Sequence, residues 1–91
     1  MLTIKILGLN NPYLAKIEEH TRTALAWLNP HAGYKLEKVT DPKAISAYTD
    51  KNLGLVINDR VVCEGHIPAA NEVVTWASDA IQTALEDKRD N

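Results

Sequence analysis

The sequence predicts a small α/β domain with a four-stranded mixed sheet and three helices, in the order βαβαββα. Three observations support this prediction. Apolar runs of strand length occur at Leu2 to Leu7 and at Leu53 to Ile57. Two long segments carry apolar residues at helical spacing. Short loops rich in Asn, Asp, Pro and Gly separate these segments.

The first half of the chain predicts a strand, a helix and a second strand. Leu2 to Leu7 is expected in the centre of the sheet, since most of its residues are apolar. Asn11 is a favoured N-cap and Pro12 a favoured first helical residue, so a helix is predicted from Pro12 to about Leu28. Its apolar stripe consists of Leu14, Ile17, Thr21, Ala24, Leu25 and Leu28. Tyr34 to Thr40 alternates as an edge strand would, and a helical crossover makes it parallel to the first strand.

The second half predicts a short helix, a hairpin and a long final helix. Asp41-Pro42 repeats the cap-and-proline signal ahead of a helix at Lys43 to Tyr48. Asn58-Asp59-Arg60 is short enough to join Leu53 to Ile57 with Val61 to Glu64 as a hairpin. Gly54 predicts a bulge or a close backbone approach. The last helix is predicted to begin at Pro68, with an apolar face formed by Val73, Val74, Ala77, Ala80, Ile81, Ala84 and Leu85.

Composition narrows the class of protein. With 91 residues, 45% of them hydrophobic and 24% charged, the chain is expected to form one domain spanning residues 1–91. The net charge is −2 and the basic residues are scattered, so we expect no nucleic-acid partner. No run of about 18 apolar residues occurs, so we expect no membrane partner. A single cysteine and no signal-peptide pattern at the start favour a reducing, cytoplasmic location.

Four segments together resemble a known family. They are KILGLNNPYLAKIEE (Lys5 to Glu19), KLEKVTD (Lys35 to Asp41), NLGLVINDRVVCEG (Asn52 to Gly65) and the HIP that follows. In order and spacing they resemble the small, glutaredoxin-sized thioredoxin-like redox proteins, which carry a Cys-Pro-x-Cys motif after the first strand. The resemblance covers nearly the whole chain and implies a thioredoxin-like fold.

The chain departs from this family at the residues that carry the redox chemistry. The resemblance aligns the two family cysteines with Asn11 and Leu14, neither of which can exchange a disulfide. The family's cis-proline aligns with Leu53, where a cis bond would cost about 2.5 to 4 kcal/mol, so a trans bond is expected. The sequence also lacks a Ser-His-Asp set, a phosphate loop and a carboxylate pair suited to catalysis. We therefore expect a redox-inactive protein with no cofactor.

The leading functional prediction is a thioredoxin-like domain that binds a protein or peptide without turnover. Its binding groove is predicted to consist of Asn10, Asn11, Pro12, Tyr13, Asn52, Leu53 and His66. The alternative is a thiol-disulfide oxidoreductase that works through Cys63 alone. A third possibility is a homodimer formed through the strand Val61 to Glu64 or through the last helix.

Each candidate residue also has a plainer interpretation. Cys63 is expected to be a buried structural residue on the same face of its strand as Val61. Asn10 and Asn11 either cap the helix or bind a ligand at its N-terminus. His66 is either a polar contact in the groove or solvated. The spacing of His20, His31 and His66 matches no metal site, so no metal is expected. Trp27 and Trp76 are interpreted as residues of the core or its flank.

Overall fold

A computed structural model describes residues 2–9, 12–30 and 33–89 of the protein, with side chains through residue 85. These residues form an α/β structure with a four-stranded mixed sheet and three helices, which confirms the predicted class and element order. The elements are β1 (Leu2–Gly8), α1 (Tyr13–Leu28), β2 (Tyr34–Val39), α2 (Pro42–Ser46), β3 (Leu53–Ile57), β4 (Arg60–Glu64) and α3 (Ala70–Arg89).

The sheet has the strand order β2-β1-β3-β4. β1 is parallel to β2 in a regular register that runs from Leu2 opposite Tyr34 to Leu7 opposite Val39. On its other side β1 is antiparallel to β3, and β3 is antiparallel to β4. β1 therefore lies inside the sheet as predicted, and β2 and β4 form its two edges.

Helices cover the two faces of the sheet unequally. α1 and α3 pack on one face, where Ile4, Ile6 and Leu55 are completely buried. α2 packs on the other face, where Ile45 contacts a smaller cluster with Leu7 and Val56. The predicted stripe of α1 is confirmed, because Leu14, Ile17, Thr21, Ala24 and Leu25 are buried and Leu28 is half-buried.

The helix ends follow the local chemistry, with small shifts from the predicted boundaries. α1 begins at Tyr13, and Pro12 is its N-cap instead of its first helical residue. It ends at Leu28 and is followed by the C-cap Asn29, which has a left-handed conformation and donates its backbone N–H to the Leu25 carbonyl at 2.8 Å. The side chain of Asp41 caps α2 as predicted, by accepting from the Lys43 N–H at 3.2 Å.

The last helix differs from prediction in its first residue and in the extent of its buried face. It begins at Ala70 instead of Pro68, and it continues to Arg89. Val73 and Ala77 of the predicted apolar face are buried, but Ala84 and Leu85 are exposed. A 20-residue helix is about 30 Å long, whereas strands of five to seven residues span roughly 17 to 23 Å, so the last turns pass beyond the sheet.

A β-bulge in the closing hairpin corrects the predicted face of Cys63. Leu55 pairs with Cys63 and Val56 pairs with Val61, so Val62 has no partner of its own on β3. The extra residue reverses the alternation of side chains. Val61 consequently packs on the α2 face, whereas Cys63 packs on the face covered by α1 and α3. The prediction that the two residues share a face was wrong.

Thr21 has a buried hydroxyl group without a hydrogen-bond partner among the described residues, and the cost of this group can be measured. Its side chain is fully buried on α1. An unpaired buried hydroxyl costs about 1 to 3 kcal/mol. We expect Thr21→Val, which keeps the shape of the side chain, to raise the free energy of unfolding by about 1 kcal/mol or more in denaturant titrations.

Thr23 is the matched control for that measurement. Its hydroxyl donates to the Glu19 carbonyl at 2.9 Å on the exposed side of the same helix. Thr23→Val should therefore leave the protein equally stable or slightly less stable. A Thr21→Val protein that is less stable than the wild type would show that the hydroxyl is satisfied after all.

Candidate functional site

The predicted site lies where β1 ends. Gly8 pairs with Leu53 at the start of β3, and the Gly65 N–H donates to the Leu53 carbonyl at 2.9 Å. Gly8 also lies against Leu14 of α1, so closely that a Cβ at position 8 would overlap the leucine side chain. These contacts bring the end of β1, the start of α1, the start of β3 and the end of β4 together at one end of the sheet.

Five exposed residues flank this junction, and we call them the β1-end surface: Leu9, Pro12, Tyr13, Asn52 and His66. Two of them are large apolar side chains, since Leu9 is 43% exposed and Tyr13 is 52% exposed. Asn52 and His66 add polar groups. Four of the seven predicted groove residues (Pro12, Tyr13, Asn52, His66) therefore lie at the surface at this end of the fold.

The other three predicted groove residues have different outcomes. Leu53 is buried, with 8% of its surface exposed, because it belongs to the apolar run of β3 and packs into the core. It supports the surface without contributing a side chain to it. Asn10 and Asn11 lie outside the described residues. The peptide bond between Asn52 and Leu53 is trans, as expected from the leucine at this position.

The N-terminus of α1 lies at the β1-end surface. The first turn of any helix has N–H groups without intrahelical acceptors, and the helix dipole makes this end partly positive. Pro12 at the N-cap provides no side-chain hydrogen bond to this turn. The 16-residue length of α1 gives it a full dipole, so an electron-rich group such as a carbonyl or carboxylate is favoured here.

Cys63 lies beside this surface and contacts His66. Its Sγ is 3.3 Å from His66 Nε2 and donates to the His66 carbonyl oxygen at 3.5 Å. A cysteine next to a histidine is the arrangement that activates thiols in many enzymes. The sequence did not predict this contact, although the three-residue spacing across the turn at Gly65 is a signal that could have suggested it.

The surroundings of Cys63 nevertheless disfavour a thiolate. The residue is 6% exposed, and burial raises the pKa of its thiol, with further increases from the carboxylates of Glu72 and Glu64. A raised pKa keeps the sulfur protonated at neutral pH, where the thiolate is the nucleophile. The prediction of a buried cysteine is confirmed, although Cys63 packs on the opposite face of the sheet from Val61.

The histidines do not come together as a metal site in the described part of the chain. His20 donates from Nδ1 to the Pro68 carbonyl at 2.8 Å, which fixes the loop before α3 against α1. His66 contacts Cys63, and His31 lies outside the described residues. Among described residues no group of three or more His, Cys, Asp or Glu side chains is arranged to hold a metal ion.

A concave region that the sequence did not predict lies between the closing hairpin and α3. We call it the hairpin–helix groove. It has a volume of about 420 Å³ and is lined by Ile57, Asn58, Arg60, Val62, Trp76, Asp79, Ala80, Thr83 and Ala84. Trp76 is half-buried and packs against the core, as expected, whereas Trp27 is 68% exposed, contrary to prediction. Trp27 is exposed because it lies off the buried stripe of α1, as its neighbour Ala26 does.

Comparison with known proteins finds no match for the chain. No protein-family model matches the chain, and neither the curated proteins nor the solved structures include a significant match. None of the described helices combines the length and the apolar character needed to cross a membrane.

The state of Cys63 can be tested by alkylation. Because the thiol is buried and its pKa is raised, we expect native Cys63 to react with iodoacetamide at pH 7 more slowly than the unfolded protein, on the order of tenfold or more. The rate should climb with pH only above the ordinary thiol pKa of about 8.5, since the folded state holds the proton more tightly.

The control is an exposed cysteine in the same fold, Ser78→Cys in a Cys63→Ser background, which should react about as fast as an unfolded thiol. If native Cys63 reacted as rapidly as this control at pH 7, the buried, protonated description of the thiol would be incorrect.

Proposed function

We propose that this protein is a redox-inactive thioredoxin-like domain that binds a protein or peptide through the β1-end surface, without turnover. One observation carries the proposal. At the tip of the central strand, where the resembled family exposes its dithiol, this chain exposes Leu9 and Tyr13, and its one cysteine is buried on β4. The end of the fold that performs chemistry in the family here exposes apolar side chains suited to contact with a partner.

The thioredoxin-like part of the proposal draws support from the arrangement of elements. The family resemblance implies a first strand that is central and parallel to the second, a helix that follows directly, and a closing antiparallel hairpin. β1, α1, β2 and the β3–β4 pair have these relations. The trans bond before Leu53 fits the loss of the family's substrate-holding proline. The cytoplasmic location stays a prediction, resting on the single cysteine.

The binding part rests on the character of the exposed groups. Aromatic side chains anchor many protein interfaces because they bury a large area at a small entropic cost. Tyr13 lies at the start of α1, where helix N–H groups favour a peptide carbonyl or carboxylate. Asn52 and His66 can form the polar rim that such an anchor requires.

The alternative, an oxidoreductase that works through Cys63, is favoured by the contact with His66 at 3.3 Å. Against it stand the burial of the sulfur and its raised pKa. A single cysteine also has no second thiol in this chain to resolve a mixed disulfide, so a turnover would need a thiol from another molecule. We therefore favour binding.

The test is to select peptides from a random displayed library against the wild-type protein and to map their contacts by ¹H–¹⁵N chemical-shift perturbation. The perturbed amides should cluster at Leu9, Tyr13, Asn52 and His66. The double variant Tyr13→Ala/His66→Ala should weaken binding by about tenfold or more, as loss of an aromatic anchor does.

Trp27→Ala is the matched control, because it removes a more exposed aromatic ring from the opposite end of the same helix and should leave affinity unchanged. Perturbations clustered in the hairpin–helix groove would contradict the proposed site. In parallel, the wild type should reduce insulin disulfides no faster than Cys63→Ser. A faster wild-type rate would support the oxidoreductase alternative instead.

A further inference from the structure

The two edges of the sheet differ in how open they are to another strand. β4 carries the bulge at Val62, which twists an edge and disrupts regular pairing, and its Glu64 carboxylate accepts a hydrogen bond from the Thr49 hydroxyl. β2 has no bulge. It pairs with β1 in an unbroken six-residue register, contains no proline, and has four exposed residues of six. β2 is therefore the edge where a further strand could be added.

The side chains of β2 alternate cleanly between the two faces. Leu36 packs against the core on the α1 face, and Lys38 lies on the same side, with its Nζ 3.3 Å from the Glu18 carboxylate of α1. Val39 packs on the α2 face, so Lys35 and Glu37 share that face. The α2 face of the edge thus presents one basic and one acidic side chain, two residues apart.

This pattern is self-complementary in one register only. Two copies that join β2 edges antiparallel are related by a two-fold axis normal to the sheet, which keeps each side chain on its own face. Residues that lie opposite each other must therefore point to the same face, so both are odd-numbered or both are even-numbered. Only registers centred on Leu36 or on Glu37 pair five strand residues. The second register places Glu37 against itself, which is repulsive.

The register centred on Leu36 brings favourable partners together at every position. Lys35 of each copy lies opposite Glu37 of the other, on the α2 face. Leu36 meets its own symmetry mate on the α1 face, and Tyr34, which is 36% exposed, lies opposite Lys38. Cross-strand pairs of opposite charge and contacts between apolar and aromatic groups are the interactions that stabilise a sheet.

We propose that β2 is a self-association edge, through which two copies of this chain form a continuous eight-stranded sheet centred on Leu36. Lysines on an edge strand often prevent such pairing. Here the repulsion that Lys35 would cause is cancelled, because the two-fold symmetry places Glu37 of the second copy opposite it. The proposal does not depend on the function of the β1-end surface, which contains no residue of β2.

Charge reversal tests the register. At low ionic strength, the wild type should show a concentration-dependent monomer–dimer equilibrium in analytical ultracentrifugation. Lys35→Glu and Glu37→Lys should each raise the dimer dissociation constant by on the order of tenfold or more, because each makes both pairs of the dimer repulsive. The double variant Lys35→Glu/Glu37→Lys should recover the wild-type value, since the two pairs are only exchanged.

An equimolar mixture of the two single variants gives a further check. One variant presents only acidic and the other only basic side chains at positions 35 and 37, so the mixture should form heterodimers more tightly than either variant associates alone. Arg60→Glu, the same type of reversal on the β4 edge, is the control and should leave the wild-type equilibrium unchanged. Circular dichroism melts should show that all variants are folded.

Two results would overturn the proposal. The first is a wild type that stays monomeric up to millimolar concentration. The second is a dimer that is weakened by Arg60→Glu and unaffected by the two reversals on β2, which would move the contact to the opposite edge of the sheet.

Discussion

The double pairing of β1 is the constraint on which the rest of the structure depends. This strand is hydrogen-bonded on both sides. Its face toward α1 and α3 is buried, with Ile4 and Ile6 fully inaccessible, and on the α2 face Leu7 is buried whereas Thr3 is exposed. Its two ends are also tied. Thr3 exchanges hydrogen bonds with Asn58 in the hairpin turn, donating to the side chain at 3.0 Å and accepting from the backbone N–H at 2.8 Å. At the other end Gly8 lies against Leu14, which sets where α1 begins.

Most of the fold could be predicted because its signals are local. The apolar run of β3, the stripe of α1 and the Asp41 cap each depend on residues close together in sequence, and all three were correct. The bulge at Val62 could not be predicted, because it depends on how β4 aligns with β3 and not on Val-Val-Cys itself. The exposure of Ala84 and Leu85 on α3 was missed for a similar reason. The apolar residues of α3 keep their helical spacing beyond the point where the helix leaves the sheet.

The candidate site divides in the same way. The exposure of Tyr13 and His66 follows from a helix start and a turn, which are local features. Leu53 was misjudged, since whether a residue at the start of a strand faces solvent depends on the helices packed over it. The hairpin–helix groove could not be predicted from the sequence, because Arg60 and Trp76 come to line the same groove only when α3 packs beside the hairpin. Such surfaces require tertiary structure.

The proposed dimer would arrange the two β1-end surfaces in a particular way. A two-fold axis normal to the sheet reverses strand direction, so the surface at the end of β1 in one copy lies at the opposite end of the joined sheet from its symmetry mate. Neither surface involves the β2 edge, so both stay open. Two well-separated sites on a rigid sheet suit a partner that is itself repetitive or multivalent, where a second contact adds avidity without any new kind of interaction. A compact monomeric partner would occupy each surface independently.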